Sequence, residues 1–332
     1  MLRVAMLSFA HVHANGYAQA VASHPDARIE CIWEDDSGRA KAAAEKFGAP
    51  VFEDLEQVVS NPNVDAVVIN SYTSQHPILI KAALKYKKHI FTEKALSIST
   101  QDADEIVDAV EKSGVKFMIS LPSRTRPEFL FMKHVLDQGW LGKVTLMRAR
   151  VAHSASLDHW FHDGSAWFAD AKPAGGGALF DLGCHTVDVM RWFMGEPRSV
   201  ISKIQQFSSA YPIDDNSAII VEFKNGALGI LDTAWVQRSG PNPIEIYGTE
   251  GFVGRDFNGK IQLSSSHLEP EGIQGVIAPA KLPDALPMPI EQWISAILHG
   301  TPMAISVRDG RNLTQLLEGA YLSAREKQEI VF

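Results

Sequence analysis

Short apolar, β-branched runs alternate with helical patterns along the first third of the chain, and this alternation constrains the fold more than any other feature. Strands joined by helical crossovers lie parallel in one sheet, so the alternation predicts an α/β domain. The helix expected near Thr100 has the sequence pattern of a capped helix, with Ser99 and Asp102 at its start and Gly114 at its end. The runs with the length and composition of strands are residues 2–7, 27–34, 64–70, 89–93 and 116–121.

A parallel sheet that binds a nucleotide normally has a glycine-rich turn after its first strand, where backbone amides and a helix N-terminus receive the pyrophosphate. The turn in this chain contains no glycine, although two of its residues are small enough to allow a phosphate close to the backbone. By itself it is equally typical of a plain connection between strand and helix. Its residues are Ser8, Phe9, Ala10, His11, Val12 and His13, and we expect the first five to contact a cofactor.

The end of the second predicted strand carries acidic residues. A carboxylate there can hydrogen-bond the ribose hydroxyls of NAD and would repel the additional phosphate of NADP. Glu34 and Asp35 occupy this place, and no arginine follows Glu34 directly. Arg39 and Lys41 come about one helical turn later. The sequence therefore favours NAD over NADP, with a solvated acidic turn as the alternative for these carboxylates.

Several segments, taken together, resemble the family of glucose–fructose oxidoreductase, inositol dehydrogenase and the rhizopine-catabolism proteins, called Gfo/Idh/MocA. The resemblance covers nearly the whole chain. Its strongest parts are the glycine triplet with the helix after it and the Glu93-Lys94 pair at a strand end. The segments that carry it are residues 64–71 continuing to His76, 89–95, 175–188, 245–251, 306–310 and 320–324.

The resemblance implies two domains. The first, residues 1–121, is an N-terminal Rossmann domain with a parallel sheet, and the second, residues 122–332, is an α+β C-terminal domain with a large, mostly antiparallel open sheet. In the family, the open face of that sheet often mediates dimer or tetramer contacts, so we expect a homodimer or homotetramer. The second half agrees, with strand-like runs at 143–153, 199–207, 218–223, 227–235 and 243–247, a hairpin signal at Asn225-Gly226, and helical patterns at 290–298 and 307–324.

The resemblance also implies a catalytic group made of Lys94, Asp181 and His185. His185 would be the general acid/base, Lys94 would hydrogen-bond the reacting oxygen, and Asp181 would orient the pair. In the family, the Glu-Lys pair continues with proline, whereas this chain has Ala95. Further cofactor contacts are expected from the strand-end residues Asn70, Ser71, His76, Glu93 and Lys94.

The spacing of Asp181, His185 and Asp188 places all three on one side of a helix. A capping aspartate and a buried, hydrogen-bonded histidine are the structural alternatives. A chemical alternative is a metal site, because Asp181 and His185 could share a cation with histidines from residues 153–162. Those histidines are His153, His159 and His162, and the metal-free interpretation is the one we adopt.

An aromatic-rich stretch from residue 154 to residue 174 precedes the glycine triplet. Aromatic faces pack against sugar rings, so we expect this stretch and its neighbours to shape a substrate pocket. An oligomer contact or a small satellite core explains the stretch equally well. For Arg124, an interdomain salt bridge is an equally simple explanation. The expected substrate-binding residues are Arg124, His153, Trp160, Trp167, Phe168, Asp181 and His185.

Composition limits the possible partners. The chain of 332 residues has a formal net charge of −8, which disfavours nucleic acid. It shows neither a signal peptide nor a membrane-spanning stretch, and its two cysteines suggest no disulfide, so we expect a cytoplasmic protein. The sequence predicts an NAD-dependent oxidoreductase acting on a sugar, inositol, polyol or sugar acid. An enzyme that retains NAD for net non-redox chemistry such as glycoside cleavage, and a non-catalytic NAD sensor, stay open.

Overall fold

The first part of the chain folds into a six-stranded parallel sheet. The structure is a computed structural model that describes residues 1–332. The strands are β1 (Leu2–Leu7), β2 (Ala27–Trp33), β3 (Val51–Phe52), β4 (Ala66–Ile69), β5 (His89–Thr92) and β6 (Phe117–Ile119). Their order is β3-β2-β1-β4-β5-β6, with every neighbouring pair parallel. The five predicted strands and the Rossmann-type order are confirmed; the two-residue β3 is too short for any periodicity to reveal it.

Helices connect these strands. The best-capped of them begins after Ser99, whose hydroxyl accepts the backbone N–H of Asp102, and ends at Gly114 with a φ of 74°. This confirms the predicted start and end, and glycine suits the end because it adopts positive φ without a steric penalty. The helices are α1 (Ala14–Ser23), α2 (Ser37–Phe47), α3 (Leu55–Val59), α4 (His76–Lys85) and α5 (Thr100–Ser113).

The second part of the chain builds an eight-stranded sheet. β7 and β10 form its one parallel pair, and all other neighbours are antiparallel, so the predicted mostly antiparallel sheet is confirmed. Its strands are β7 (Val144–Ala152), β8 (Pro197–Gln205), β9 (Asn216–Phe223), β10 (Leu228–Ala234), β11 (Ile244–Gly248), β12 (Gly251–Arg255), β13 (Ile261–Ser265) and β14 (Ile330–Val331), in the order β13-β12-β11-β7-β10-β9-β8-β14.

The sequence did not reveal β12, β13 or β14. β12 contains two glycines and β14 has only two residues, so neither shows strand composition. The hairpin at Asn225-Gly226 is present, because Gly226 has a φ of 87° and its N–H donates to the Phe223 carbonyl.

Helices of the second part pack on both sheets and position the site. α9 lies against β5 and β6, while α10 lies against α5 and β8, so the last helices return to the first sheet. The division at Leu121 stays a prediction, because one continuous core joins both sheets. No helix has the length and apolar character needed to cross a membrane. The helices are α6 (Pro127–Asp137), α7 (Ala171–Ala174), α8 (Cys184–Met194), α9 (Pro289–His299) and α10 (Val307–Glu326).

Candidate active site

The candidate active site lies at the carboxyl ends of the strands of the first sheet. β1 and β4 are neighbours there, and the strand order continues from them in opposite directions. Open α/β sheets bind ligands in the crevice at such a switch point. The turns after Leu7, Ile69 and Thr92 all begin at this edge. The fold therefore gathers predicted cofactor-binding segments that are far apart in sequence.

The turn after β1 adopts a backbone shape that normally requires glycine. Ser8 has a φ of 72°, in the left-handed region. The Ala10 N–H donates to the Ser8 hydroxyl over 3.2 Å, and the His11 N–H donates to the Asn70 carbonyl over 2.9 Å. The N–H of the exposed Val12, just before α1, makes no hydrogen bond within the protein. A donor free at this place suits a phosphate.

Glu34 ties the end of β2 to this turn. Its carboxylate accepts the N–H of Phe9 over 2.6 Å and the N–H of Asp35 over 3.0 Å. The Arg39 guanidinium lies 2.7 Å from Glu34 and 2.9 Å from Asp35. Arg39 lies about one helical turn further along the sequence, and its side chain reaches back from α2 to both carboxylates. Glu34 is 2% exposed, so its contact with a ribose stays a prediction.

Asn70 offers unused hydrogen-bonding capacity at the same edge. Its side-chain amide is buried, and neither its oxygen nor its nitrogen has a partner. Such orphaned groups are costly unless a ligand or water completes them. Ser71 instead donates to Gln75, and the His76 ring lies 2.7 Å from the Ala95 carbonyl and 3.2 Å from the Ser71 carbonyl. Asn70 is thus available to a ligand, whereas Ser71 and His76 shape the turn.

Lys94, Asp181 and His185 line one space of about 340 Å³, which we call the catalytic cavity. The Lys94 ammonium donates to the Asp181 carboxylate and to the Asp181 carbonyl, each over 2.9 Å. An ammonium has three N–H groups, so one remains for a ligand. The His185 ring makes no hydrogen bond within the protein, and both its nitrogens are available.

Burial and charge decide the protonation of these groups. Burial alone would lower the pKa of Lys94, but the neighbouring Asp181, Cys184 and Glu93 together outweigh it and the pKa is raised. Burial would raise the pKa of Asp181, but the Lys94 ammonium outweighs it and the pKa is lowered. Burial, assisted by the charge of Lys94, lowers the pKa of His185 to about 4. At neutral pH the cavity therefore holds an ion pair beside a neutral imidazole that can accept a proton.

A second network around Glu93 reaches the same cavity. The buried Glu93 carboxylate accepts the Tyr17 hydroxyl over 2.5 Å and the Lys94 N–H over 2.9 Å, and His13 Nδ1 lies 2.8 Å from it. Burial would raise the pKa of Glu93, but the neighbouring His11 and His13 outweigh it, and the pKa is well below its usual value. His13 lines the catalytic cavity. The sequence argument missed its role because it treated His13 only as the last residue of a turn.

The aromatic stretch covers one side of the site. The Trp167 indole N–H donates to the Ala10 carbonyl over 3.0 Å, so Trp167 packs on the turn after β1. His153 and Trp160 stack with ring centroids 4.7 Å apart. Both line the catalytic cavity with Phe168. Trp160 and Phe168 of the stretch thus line the cavity, and Trp167 and Phe168 also form a small core with Ala174.

Arg124 stands apart from this group. Its guanidinium donates to Asp188 over 2.7 and 3.0 Å and to Asp309 over 2.8 Å, and it does not line the catalytic cavity. A buried salt bridge therefore accounts for Arg124, but its partners lie within residues 122–332, so it is not the interdomain bridge that the sequence allowed. Asp188 pairs with Arg124 and does not line the catalytic cavity with Asp181 and His185. Asp181 lies in a π-helical turn, Leu179–Gly183, and not in the regular helix that carries His185 and Asp188, so the spacing assumed for one continuous α-helix does not hold for it.

The alternative metal site does not assemble in this geometry. His159 and His162 are exposed and do not line the catalytic cavity. Three potential ligand atoms approach within 4.8 Å of one another at His11, His13 and Glu93. That group does not include Asp181 or His185, so the ligand set considered from the sequence is not brought together.

Comparison with known proteins identifies the class. A model described as an oxidoreductase family with an NAD-binding Rossmann fold matches residues 2–121, and the GFO/IDH/MocA C-terminal domain matches residues 129–253. The chain is 26% identical to myo-inositol 2-dehydrogenase of Thermotoga maritima over 319 residues, covering 92% of this chain and 91% of that protein. It is 25% identical to inositol 2-dehydrogenase of Rhizobium meliloti over 329 residues, covering 95% and 94%.

A solved structure agrees along the whole length. The crystal structure of GenD2 from gentamicin A biosynthesis, in complex with NAD, superposes with a TM-score of 0.82 at 26% identity, covering 100% of this chain and 96% of that one. The fold and the site thus define an NAD-binding oxidoreductase. The chain belongs to the Gfo/Idh/MocA family, as its glycine triplet and its Glu93-Lys94 pair had indicated.

Proposed function

We propose that this enzyme interconverts a secondary alcohol and the corresponding ketone on a sugar, inositol, polyol or sugar acid. The observation that carries the proposal is a neutral His185 beside the charged Lys94–Asp181 pair, at the edge of the sheet where a dinucleotide binds. The names of the inositol dehydrogenases among its relatives support a hydroxyl-rich substrate.

The residues fit a bound dinucleotide, because the Val12 amide and the Asn70 side chain both lack partners at that edge. When bound, NAD supplies the acceptor for the hydride that leaves the alcohol carbon. His185 takes the hydroxyl proton as the C–H bond breaks and the C=O bond forms. The free N–H of Lys94 donates to the same oxygen and stabilises its developing negative charge, while Asp181 holds Lys94 in place.

The roles of Lys94 and His185 are tested by Lys94→Ala and His185→Ala. We expect each variant to lose turnover by at least about a hundredfold while keeping its melting temperature and NADH affinity nearly unchanged, since both groups act on the reacting oxygen. Initial rates, thermal unfolding and NADH fluorescence titrations measure the three properties. Near-normal turnover in either variant would contradict the mechanism, and nucleotide that co-purifies and is not exchanged would favour the NAD-retaining alternative.

The preference for NAD over NADP rests on the carboxylates of Glu34 and Asp35. Arg39 beside them partly offsets their negative charge, so direct measurement is needed. Calorimetric titration should give tighter binding of NADH than of NADPH to the nucleotide-free protein. Equal affinity would show that Arg39 compensates for the additional phosphate.

We further propose a cytoplasmic homodimer or homotetramer that assembles through the eight-stranded sheet. Ile201, Ile220 and Ile230 are register neighbours on β8, β9 and β10, and they are 48%, 46% and 38% exposed. A contiguous row of exposed isoleucines is typical of an interaction surface. Two free, buried cysteines suit a reducing compartment.

A further inference from the structure

A second space adjoins the catalytic cavity and carries positive charge. It has a volume of about 550 Å³, and we call it the arginine cavity. His13 and His185 line both spaces, so they stand where the two meet. No aspartate or glutamate lines the arginine cavity. Its polar lining residues are Ser123, Arg126, Arg150, Thr186, Asn242 and Arg255.

Arg255 is the least compensated of these cations. It lies at the end of β12 and is only partly exposed, and it makes no salt bridge. Its guanidinium donates to the Asn242 carbonyl over 2.7 Å. Burial and then the positive charge of Arg126 lower the pKa of Arg255. A guanidinium that is partly desolvated and lies near a second positive charge gains stability when an anion approaches.

Neighbouring side chains position the guanidinium groups of Arg126 and Arg255. Arg126 lies 5.5 Å and Arg255 lies 6.0 Å from the centre of the Phe129 ring, so one aromatic side chain supports both. Glu128 pairs with Arg126, which leaves one positive charge uncompensated between the two arginines. Arg150 is different, because its guanidinium is already bound to Asp232 over 3.2 Å.

We propose that the substrate carries an anionic group, a carboxylate or a phosphate, which binds between Arg126 and Arg255 while its reacting hydroxyl lies at His185. The proposal rests on the proposed function and narrows its substrate class from hydroxyl-rich molecules in general to acidic sugar derivatives. Planar guanidinium groups bind carboxylate and phosphate oxygens through paired hydrogen bonds, which neutral sugars cannot reproduce. Ser123 and Asn242 add neutral hydrogen-bonding groups for hydroxyls.

The test compares matched ligands on the protein saturated with NADH. The pairs are D-glucuronate with D-glucose and D-gluconate with D-glucitol, and glucose 6-phosphate is the phosphate probe. Calorimetry at low and high salt should show at least one anion binding more tightly than its neutral counterpart, with salt weakening that preference. Tighter binding by the sugar acids assigns the cavity to carboxylates, and tighter binding by the phosphate assigns it to phosphates. If no anion outbinds its neutral counterpart, the proposal is overturned.

Variants locate the effect. Arg255→Gln and Arg126→Gln should each weaken binding of the anion by about 10- to 100-fold and leave neutral ligands unchanged, because each removes a charge-assisted contact. Arg126 is half-exposed, so its variant is informative even if Arg255→Gln unfolds. The control is Arg28→Gln, an exposed arginine on β2. An unchanged ratio of anion to neutral affinity in both folded arginine-cavity variants would overturn the proposal.

The same titrations separate this proposal from the proposed function. Failure of NADH to bind would contradict the oxidoreductase function, while anion binding to the arginine cavity would still be measured without the cofactor. Normal NADH binding and turnover of neutral sugars, with no preference for any anion, would preserve the oxidoreductase and remove only the acidic substrate class.

Discussion

At the scale of single residues, the candidate site combines two responses to burial. Lys94 and Asp181 stay charged because each provides the counter-ion of the other over 2.9 Å. For His11 and His185 burial dominates instead: it outweighs the Glu93 carboxylate 3.7 Å from His11 and lowers the two pKa values to about 3 and about 4. Charged and neutral groups thus coexist in one cavity, which is what a proton acceptor beside an electrostatic clamp requires.

The neutral state of His185 has a consequence for stability. Its folded pKa of about 4 lies below its ordinary value of 6.5. Between these values the unfolded chain binds more protons, so the stability contribution is lost as the pH falls from about 6.5 to about 4. His185→Gln removes this contribution. As the pH falls through that window, the free energy of unfolding of the variant should therefore decrease by about 1–3 kcal/mol less than that of the unmodified protein. Urea unfolding at several pH values measures it.

His299→Gln is the control for that experiment, because His299 is exposed near the end of α9. Its pH dependence of unfolding should match that of the unmodified protein. If the free energy of unfolding changed with pH equally in the His185→Gln protein and the unmodified protein, His185 would not be neutral in the folded state.

At the scale of elements, the glycine triplet and the turn after it position Asp181, one of the candidate catalytic residues. The Gly177 N–H donates to the Asp214 carboxylate over 2.7 Å, and the Tyr321 hydroxyl donates to the same group over 3.0 Å. The Asp181 N–H in turn donates to the Gly177 carbonyl over 2.9 Å. This chain of contacts fixes the π-helical turn that directs Asp181 toward Lys94, which lies 87 residues earlier in the sequence.

Close approach makes glycine necessary in this turn. A Cβ atom on Gly177 would lie 1.9 Å from the Asp214 carbonyl oxygen, which cannot move without disturbing the backbone. Gly177→Ala should therefore lower the free energy of unfolding by about 1–3 kcal/mol, because the added methyl group overpacks the turn. It should also reduce turnover, because it displaces Asp181. Urea unfolding and initial rates measure the two effects.

Gly164→Ala is the matched control, since a Cβ there meets nothing within 4 Å. It lies in the aromatic stretch and should leave stability and turnover nearly unchanged. Equal behaviour of the two variants would show that the approach of Asp214 does not constrain the turn.

At the scale of the whole molecule, buried ion pairs connect elements within the chain, whereas exposed apolar rows leave a surface uncovered. The buried Arg124 joins Asp188 of α8 to Asp309 of α10. Such a buried pair couples elements that are far apart in sequence, and removing one partner leaves the others uncompensated. The open sheet face, by contrast, carries apolar side chains that no part of the same chain covers.

Arg124→Gln should lower the free energy of unfolding by about 3–5 kcal/mol, because it leaves two carboxylates without their cation. KM should remain nearly unchanged if Arg124 has the structural role seen here, and chemical denaturation with steady-state kinetics measures both. Arg308→Gln, which breaks an exposed pair with Glu111, should leave stability unchanged within error. A large rise in KM with little loss of stability would restore the substrate-binding role of Arg124.

Ile220→Glu places a charge in the centre of the exposed isoleucine row. It should shift the protein toward monomer, because desolvating a carboxylate opposes association. Sedimentation velocity over a range of concentrations measures the oligomeric state. Ile78→Glu, at an exposed site on α4, is the control. Identical oligomeric states for both variants and the unmodified protein would place the assembly surface elsewhere.

The sequence by itself determined the features that depend on local chemistry. Alternating apolar runs specified the parallel strands, and Ser99 with Gly114 specified one helix from cap to cap, since capping and periodicity act within a few residues. The segments that resemble the family also pointed to Lys94 and His185, and both line the candidate catalytic cavity. Strands without a local signature, such as the glycine-containing β12, were not found.

Only the tertiary structure decided which side chains meet. The sequence assumed that Asp188 shares a face with Asp181, whereas Asp181 lies in a π-helical turn and Asp188 pairs with Arg124. It gave no indication that Arg39 returns to Glu34 or that Arg126 and Arg255 line one cavity beside His185. These contacts join residues that are distant along the chain or depend on side-chain direction, and packing of the whole fold, rather than local propensity, selects them.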